Sequence, residues 1–178
     1  FSRRIGLSGS GTPIPILGGG RVTGQIGRYD IGILAMKTER LDTTPANSYV
    51  VGRIKRNLLA NSWAGAIITS RDSTIEGDYN RVYGADLHLQ FYDRLLLDTH
   101  ILRSNTPGLS GQDQARQFQA AWRDDELIIA AGYNEIQTNF NPEVGFVRRK
   151  NNTRYNGQFF WNPLIESSLV FRNFVVGT

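Results

Sequence analysis

The stretch Tyr83-Gly84-Ala85-Asp86-Leu87-His88-Leu89-Gln90-Phe91 decides the fold class, because its side chains alternate without interruption. Successive side chains of an extended strand point to opposite faces. Tyr83, Ala85, Leu87, Leu89 and Phe91 therefore share one face, and Gly84, Asp86, His88 and Gln90 share the other. After Tyr92-Asp93-Arg94 the pattern resumes, with Leu95, Leu97, Thr99 and Ile101 against Leu96, Asp98 and His100. Phe118, Ala120 and Trp122 oppose Gln117, Gln119 and Arg123 in the same way.

Working outward from this hairpin, the same period of two predicts about ten strands, near 21–28, 30–38, 48–57, 62–70, 80–91, 95–103, 115–123, 126–135, 153–161 and 165–176. Several reach the roughly 9–11 residues that a tilted membrane strand needs. Short turns at Arg28-Tyr29-Asp30, Leu59-Ala60-Asn61, Tyr92-Asp93-Arg94, Asp124-Asp125 and Asn162-Pro163-Leu164 alternate with long polar loops near 39–47, 71–79, 104–114 and 136–152. Short turns at one rim and long loops at the other are the habit of outer-membrane barrels. Tyr29, Trp63, Phe91, Trp122 and Trp161 cluster near the short turns, where they read as membrane-interface aromatics. Tyr49, Tyr79, Tyr83 and Tyr155 lie near the long loops and suggest a second girdle. The expected fold is an all-β antiparallel meander forming part of a transmembrane outer-membrane β-barrel, with outer-membrane lipid as its partner.

Composition agrees. The 178 residues hold 19 glycines, 6 prolines and no cysteine. No apolar run approaches the roughly 18 residues of a membrane-spanning helix, the longest being Leu127–Ala131. The absence of cysteine removes disulfide frameworks and thiolate metal sites. The net charge of +4 is spread singly along the strands, so no nucleic-acid partner is expected. Nor does any Gly-x-Ser-x-Gly elbow, phosphate-cradling loop or dinucleotide fingerprint occur, so no catalytic residue and no cofactor is expected. Residues 1–20, with Ser8-Gly9-Ser10-Gly11, Pro13-Ile14-Pro15 and Gly18-Gly19-Gly20, read as an extended, unpaired lead-in, and residues 21–178 as the partial barrel. The opening at Phe1 without methionine reads as an internal fragment of a longer chain.

Two histidines are the only ones in the chain, in matched contexts on the two arms of the hairpin. Superimposing the apolar faces sets Phe91 against Leu95, Leu89 against Leu97 and Leu87 against Thr99 around a three-residue loop. His88 then faces Asp98, and Asp86 faces His100, giving two Asp–His pairs on the side away from lipid. A polar structural network is the expected role of Asp86, His88, Asp98 and His100. Such pairs also suit a response to mild acid, a metal or an acid–base site, although no metal is expected there.

Phe1-Ser2-Arg3-Arg4-Ile5-Gly6, Pro13-Ile14-Pro15-Ile16-Leu17-Gly18-Gly19-Gly20-Arg21, Asn80-Arg81-Val82-Tyr83-Gly84-Ala85-Asp86 and Asn139-Phe140-Asn141-Pro142-Glu143-Val144-Gly145-Phe146-Val147-Arg148-Arg149 occur in that order. Together they make the chain resemble domain-of-unknown-function family 5916. The resemblance covers essentially the whole chain. It implies a bacterial outer-membrane protein in which a periplasmic domain similar to carbohydrate-binding family 9 precedes the barrel. That carbohydrate-binding domain would lie upstream of the present residues. The resemblance supplies no catalytic residue and implies carbohydrate handling only through the upstream domain. Outer-membrane barrels tend to finish on an aromatic residue, whereas this sequence stops at Val175-Val176-Gly177-Thr178, so further strands are expected. A soluble β-sheet ligand-binding module and an outer-membrane hydrolase are the competing readings.

Overall fold

In the computed structural model, which describes residues 5–8, 11–162 and 176–177, the chain forms one antiparallel sheet whose strands follow sequence order. The strands are β1 (Ile16–Ile26), β2 (Tyr29–Thr38), β3 (Asn47–Leu59), β4 (Ser62–Ser73), β5 (Tyr79–Phe91), β6 (Leu95–Asn105), β7 (Gln114–Arg123), β8 (Leu127–Ile136), β9 (Asn152–Trp161) and the two-residue β10 (Val176–Gly177). No helix occurs among the described residues. Among them, too, no pairing joins β1 to β9 or β10, so the sheet is open.

The alternation of side chains fixes the register. Around β5 and β6, Phe91 pairs with Leu95, Leu89 with Leu97 and Leu87 with Thr99, the pairing expected from matching the apolar faces. The turn is closed by the Arg94 N–H donating to the Phe91 carbonyl at 3.1 Å. Tyr92 and Asp93 both take left-handed φ, which matches the twist of the flanking strands. Carried through every pairing, this register defines two faces. The outer face holds Val22, Ile33, Ile54, Ile68, Leu87, Ile101, Phe118, Ile129 and Phe159. The inner face holds Arg53, Trp63, Arg71, Asp86, His88, Asp98, Gln119 and Asn134.

Three expectations need correction. Ile16–Gly20 are not an unpaired lead-in: Gly18, Gly19 and Gly20 pair with Lys37, Met36 and Ala35, so β1 starts before residue 21. Trp63 does not join the outer aromatics. It pairs with His88 and so lies on the inner face, unlike Tyr29, Phe91, Trp122 and Trp161. Tyr49 is likewise buried on the inner face rather than placed in an outer girdle. The strand expected at 165–176 and the turn at Asn162-Pro163-Leu164 fall almost wholly outside the described residues.

The longest loop carries the core. Residues 137–151 have no strand or helix and fold back over the inner face as a strap. Phe140 packs with Val82 and Ala115, flanked by Leu102, Ile136 and Val147. Val144 packs with Tyr49 and Val51, flanked by Ile5, Leu34 and Met36. The strap thus covers the apolar side chains of the inner face at the long-loop end, as the hydrophobic effect favours.

Gly84 marks the tightest approach in the central hairpin. A Cβ there would sit 2.4 Å from the Ile101 carbonyl oxygen and 2.3 Å from Leu102 Cδ2. Backbone cannot move aside as a side-chain tip can, so overpacking follows. Gly84→Ala is expected to destabilise the fold by about 1–3 kcal/mol. Gly20→Ala, with nothing within 4 Å, is expected to leave it nearly unchanged. Equilibrium unfolding followed by circular dichroism of the two variants checks the difference.

Candidate functional site

Adjacent strands bring the predicted polar residues together on the inner face near the short turns. His88 and Asp98 are directly opposed, and His88 Nδ1 lies 2.5 Å from Asp98 Oδ1. Trp63, the register partner of His88 on the other side, stacks on its imidazole with centroids 5.6 Å apart and planes 12° from parallel. The imidazole is therefore held from two directions: a carboxylate fixes its nitrogen and an indole fixes its plane.

The second expected pair is not made as such. Asp86 does face His100 across the hairpin, yet both of its carboxylate oxygens accept from the Arg53 guanidinium, Oδ2 at 2.7 Å from Nη2. Arg53 sits on β3 and reaches Asp86 on β5 by crossing β4 at Gly65. A Cβ on Gly65 would lie 2.6 Å from Arg53 Nη2, so the guanidinium runs through the space that glycine leaves. A forked guanidinium matches a carboxylate better than a single imidazole nitrogen does, which is why Arg53 takes the acid. His100 is left beside a hollow of about 450 Å³ lined also by Trp63, Asp86, Asp98, Gln117 and Gln119.

Arg53 and Lys55 both lie 5.7 Å from the Trp63 ring centroid, and Lys55 Nζ is 2.9 Å from Asp30 Oδ2. Each carboxylate in the group thus has a cation or imidazole already committed to it. Among the described residues no three His, Asp or Glu side chains are placed to hold a metal ion. The chemistry of this arrangement is that of a wall of ion pairs with one positioned imidazole.

A second site, at the long-loop end, was not legible as a site in the sequence. Arg71 is nearly buried and bonds three partners: Asp78 at 2.5 Å and 3.0 Å, the Asn47 amide oxygen at 2.9 Å, and Glu143 of the strap. Beside it Asn80, fully buried, donates to the Asn141 carbonyl at 2.7 Å and to Thr106 Oγ1 at 2.7 Å, and its own oxygen accepts from the Glu143 N–H at 3.2 Å. Ser104 Oγ accepts from the Asn141 N–H at 2.9 Å. The strap is thus fastened by both its side chains and its backbone. Phe140 is 2% exposed, so it presents no aromatic platform to a ligand. The available signal was Phe140, Val144, Phe146 and Val147 within an otherwise polar loop.

A hollow of about 700 Å³ lies between the strap and the first four strands, lined by apolar Val51, Ile67, Val144 and Phe146 and by Arg53 and Lys55. The strap therefore narrows the inner space without filling it.

The Arg71 guanidinium, through its hydrogen bonds, holds the Asp78 carboxyl below its ordinary value of 3.8. A group lowered on folding contributes stability above its unfolded value and loses that contribution as pH falls through the folded one. The strap anchor is therefore expected to be intact at neutral pH and to weaken below about pH 4. Asp78→Asn should flatten that acid limb, read as the thermal midpoint against pH, while Glu143→Gln should raise hydrogen exchange at 139–145 at neutral pH. No protein-family model matches the chain, and neither does any curated protein or solved structure.

Proposed function

We propose that this chain builds the wall of a bacterial outer-membrane β-barrel whose lumen is narrowed by the 137–151 strap. We place the barrel in binding, uptake or processing of carbohydrate at the cell surface. The observation that carries this reading is the inversion of the two faces. Side chains that a water-soluble sheet would bury stand open on the outer face: Val22 is 72% exposed, Ile26 71% and Ile68 54%. The opposite face holds the histidines, the amides and the pairs Arg53–Asp86, Lys55–Asp30 and His88–Asp98, while the outer-face pairs Arg81–Asp72 and Arg116–Glu135 sit toward the long-loop end. A sheet apolar outside and polar inside fits a bilayer, where lipid covers the apolar face and every backbone polar group is satisfied between strands.

Several features support the same reading. The nine long strands run 10 to 13 residues, enough to cross a tilted membrane path. Tyr29, Trp122 and Trp161 lie on the outer face at the short-turn end, where interfacial aromatics belong. An open edge is not tolerated in hydrocarbon, so further strands would close the sheet in the membrane. The resemblance of the quoted motifs to domain-of-unknown-function family 5916 would imply the same place in the cell, and that family's upstream domain is our basis for carbohydrate.

The test is fractionation of the full-length protein, followed by comparison of heated and unheated detergent extracts on a gel. A band in the outer membrane that shifts on heating is expected; a soluble protein indifferent to heating would end the barrel reading. Adjacent residues give a sharper check. Phe118→Arg, on the outer face, is expected to cost about 2–4 kcal/mol near the midplane and to reduce the folded band. Gln119→Arg, on the inner face, is expected to leave it unchanged. Equal effects would mean that the outer face does not meet lipid.

A further inference from the structure

Most charges of the inner face near the short turns are matched: Arg53 with Asp86, Lys55 with Asp30, His88 with Asp98. Arg71 is likewise matched by Asp78 and Glu143. The return limb of the strap is different. Arg148, Arg149 and Lys150 are consecutive and exposed, and Arg154 follows four residues after Lys150 at the start of β9. Among the described residues none of these four meets a carboxylate, and Lys150 Nζ is bonded to the neutral Asn141 oxygen at 2.9 Å.

Arg154 also lines a hollow of about 300 Å³ on the inner face of β7, β8 and β9. The polar side chains around it are the amides of Gln117, Gln119, Asn134, Asn152 and Asn156. No acidic residue lines it, whereas the two hollows described above are lined by Asp30 or by Asp86 and Asp98. Among the described residues the only hydrogen bond within the amide set is Asn134 Nδ2 to Gln117 Oε1, a long one at 3.4 Å. The hollow therefore offers a guanidinium fork and several uncommitted N–H donors, with three more cations on the chain just before Asn152.

We infer that this hollow is a binding site for an oxyanionic group, a phosphate or phosphate ester, held by Arg154 and the surrounding amides, with Arg148, Arg149 and Lys150 collecting it at the approach. The forked N–H groups of arginine pair bidentately with phosphate oxygens, and amide N–H groups complete the shell. A cluster of one sign beside a low-dielectric wall raises the local concentration of the opposite charge. Because the cations are exposed, the attraction is screened by salt. The site uses the inner face alone, so it stands whether or not the outer face meets lipid.

The experiment is calorimetric titration of sodium tripolyphosphate into the detergent-solubilised full-length protein at low and at high salt. The expected result is saturable binding that weakens as salt rises. Arg148→Gln/Arg149→Gln/Arg154→Gln is expected to weaken it by at least about tenfold. All three positions are exposed, and circular dichroism checks that the variant keeps its sheet. Arg154→Lys alone should lose part of the affinity, because lysine keeps the charge and lacks the fork. Competition by phosphatidylglycerol micelles would identify a lipid headgroup as the source of the phosphate, and no competition would identify a soluble ligand. Absence of binding, binding untouched by the triple substitution, or equal binding of an uncharged maltooligosaccharide would overturn the assignment. Each result is separable from the fractionation test, since a protein that fails to enter membranes would still titrate.

Discussion

The structure depends on one constraint: each backbone N–H and C=O of a strand must find its partner on the next strand, and that pairing fixes which side chains face which way. Because the side-chain period is two, a slip of one residue would carry Leu87 and Leu89 to the inner face and Asp86 and His88 to the outer one. The opposed pairs Leu89–Leu97 and His88–Asp98 lie one step apart on the same hairpin and both favour the observed register. Hydrophobic and electrostatic preferences are thereby satisfied by a single alignment, and every further strand inherits the two faces from its neighbour. The sidedness of the whole sheet is in this sense decided locally and propagated by hydrogen bonding.

The inner face then has to accommodate charge at half-burial. It does so by matching each carboxylate, and the geometry of the match depends on small residues. Arg53 reaches Asp86 through the gap that Gly65 leaves in the intervening strand. Leaving either partner alone would strand a part-buried charge, which costs more than the pair gains. The same logic operates at the long-loop end, where Arg71 binds Asp78 of its own hairpin and Glu143 of the strap. One arginine there joins a local turn to a segment some seventy residues later, so the strap is held by a residue whose position the sheet has already determined.

How much of this the sequence discloses follows from the range of the interactions. Strands, turns and the β5–β6 register are legible because alternation and turn length act over a few residues. The placement of His88 against Asp98 follows from the same short-range rule. Trp63 marks the limit of turn proximity as a guide: it lies as near a turn as the outer aromatics do, while its parity relative to Ala64, Ala66 and Ile68 sets it on the opposite face. Asp86 shows a deeper limit. Its register partner is His100, but the group that binds it comes from two strands away and arrives through a gap that a lone glycine only hints at. The strap reads as a polar loop because it has no period, and burial of Phe140 and Val144 depends on residues far off in the chain.

The strap also gives the two ends of the inner face different characters, and this follows from where its apolar residues lie. Phe140 and Val144 fall on the outward limb and dock onto Val82, Ala115, Tyr49 and Val51, so that limb is fastened across β3–β7. The cations fall on the return limb, after Val147, where among the described residues no carboxylate meets them. Had the acidic and basic residues of the strap been exchanged, Glu143 would have faced no cation and Arg71 would have met like charge. The order of residues along one irregular segment therefore separates anchoring from charge display. The anchored half closes down on the sheet, and the cationic half stays exposed.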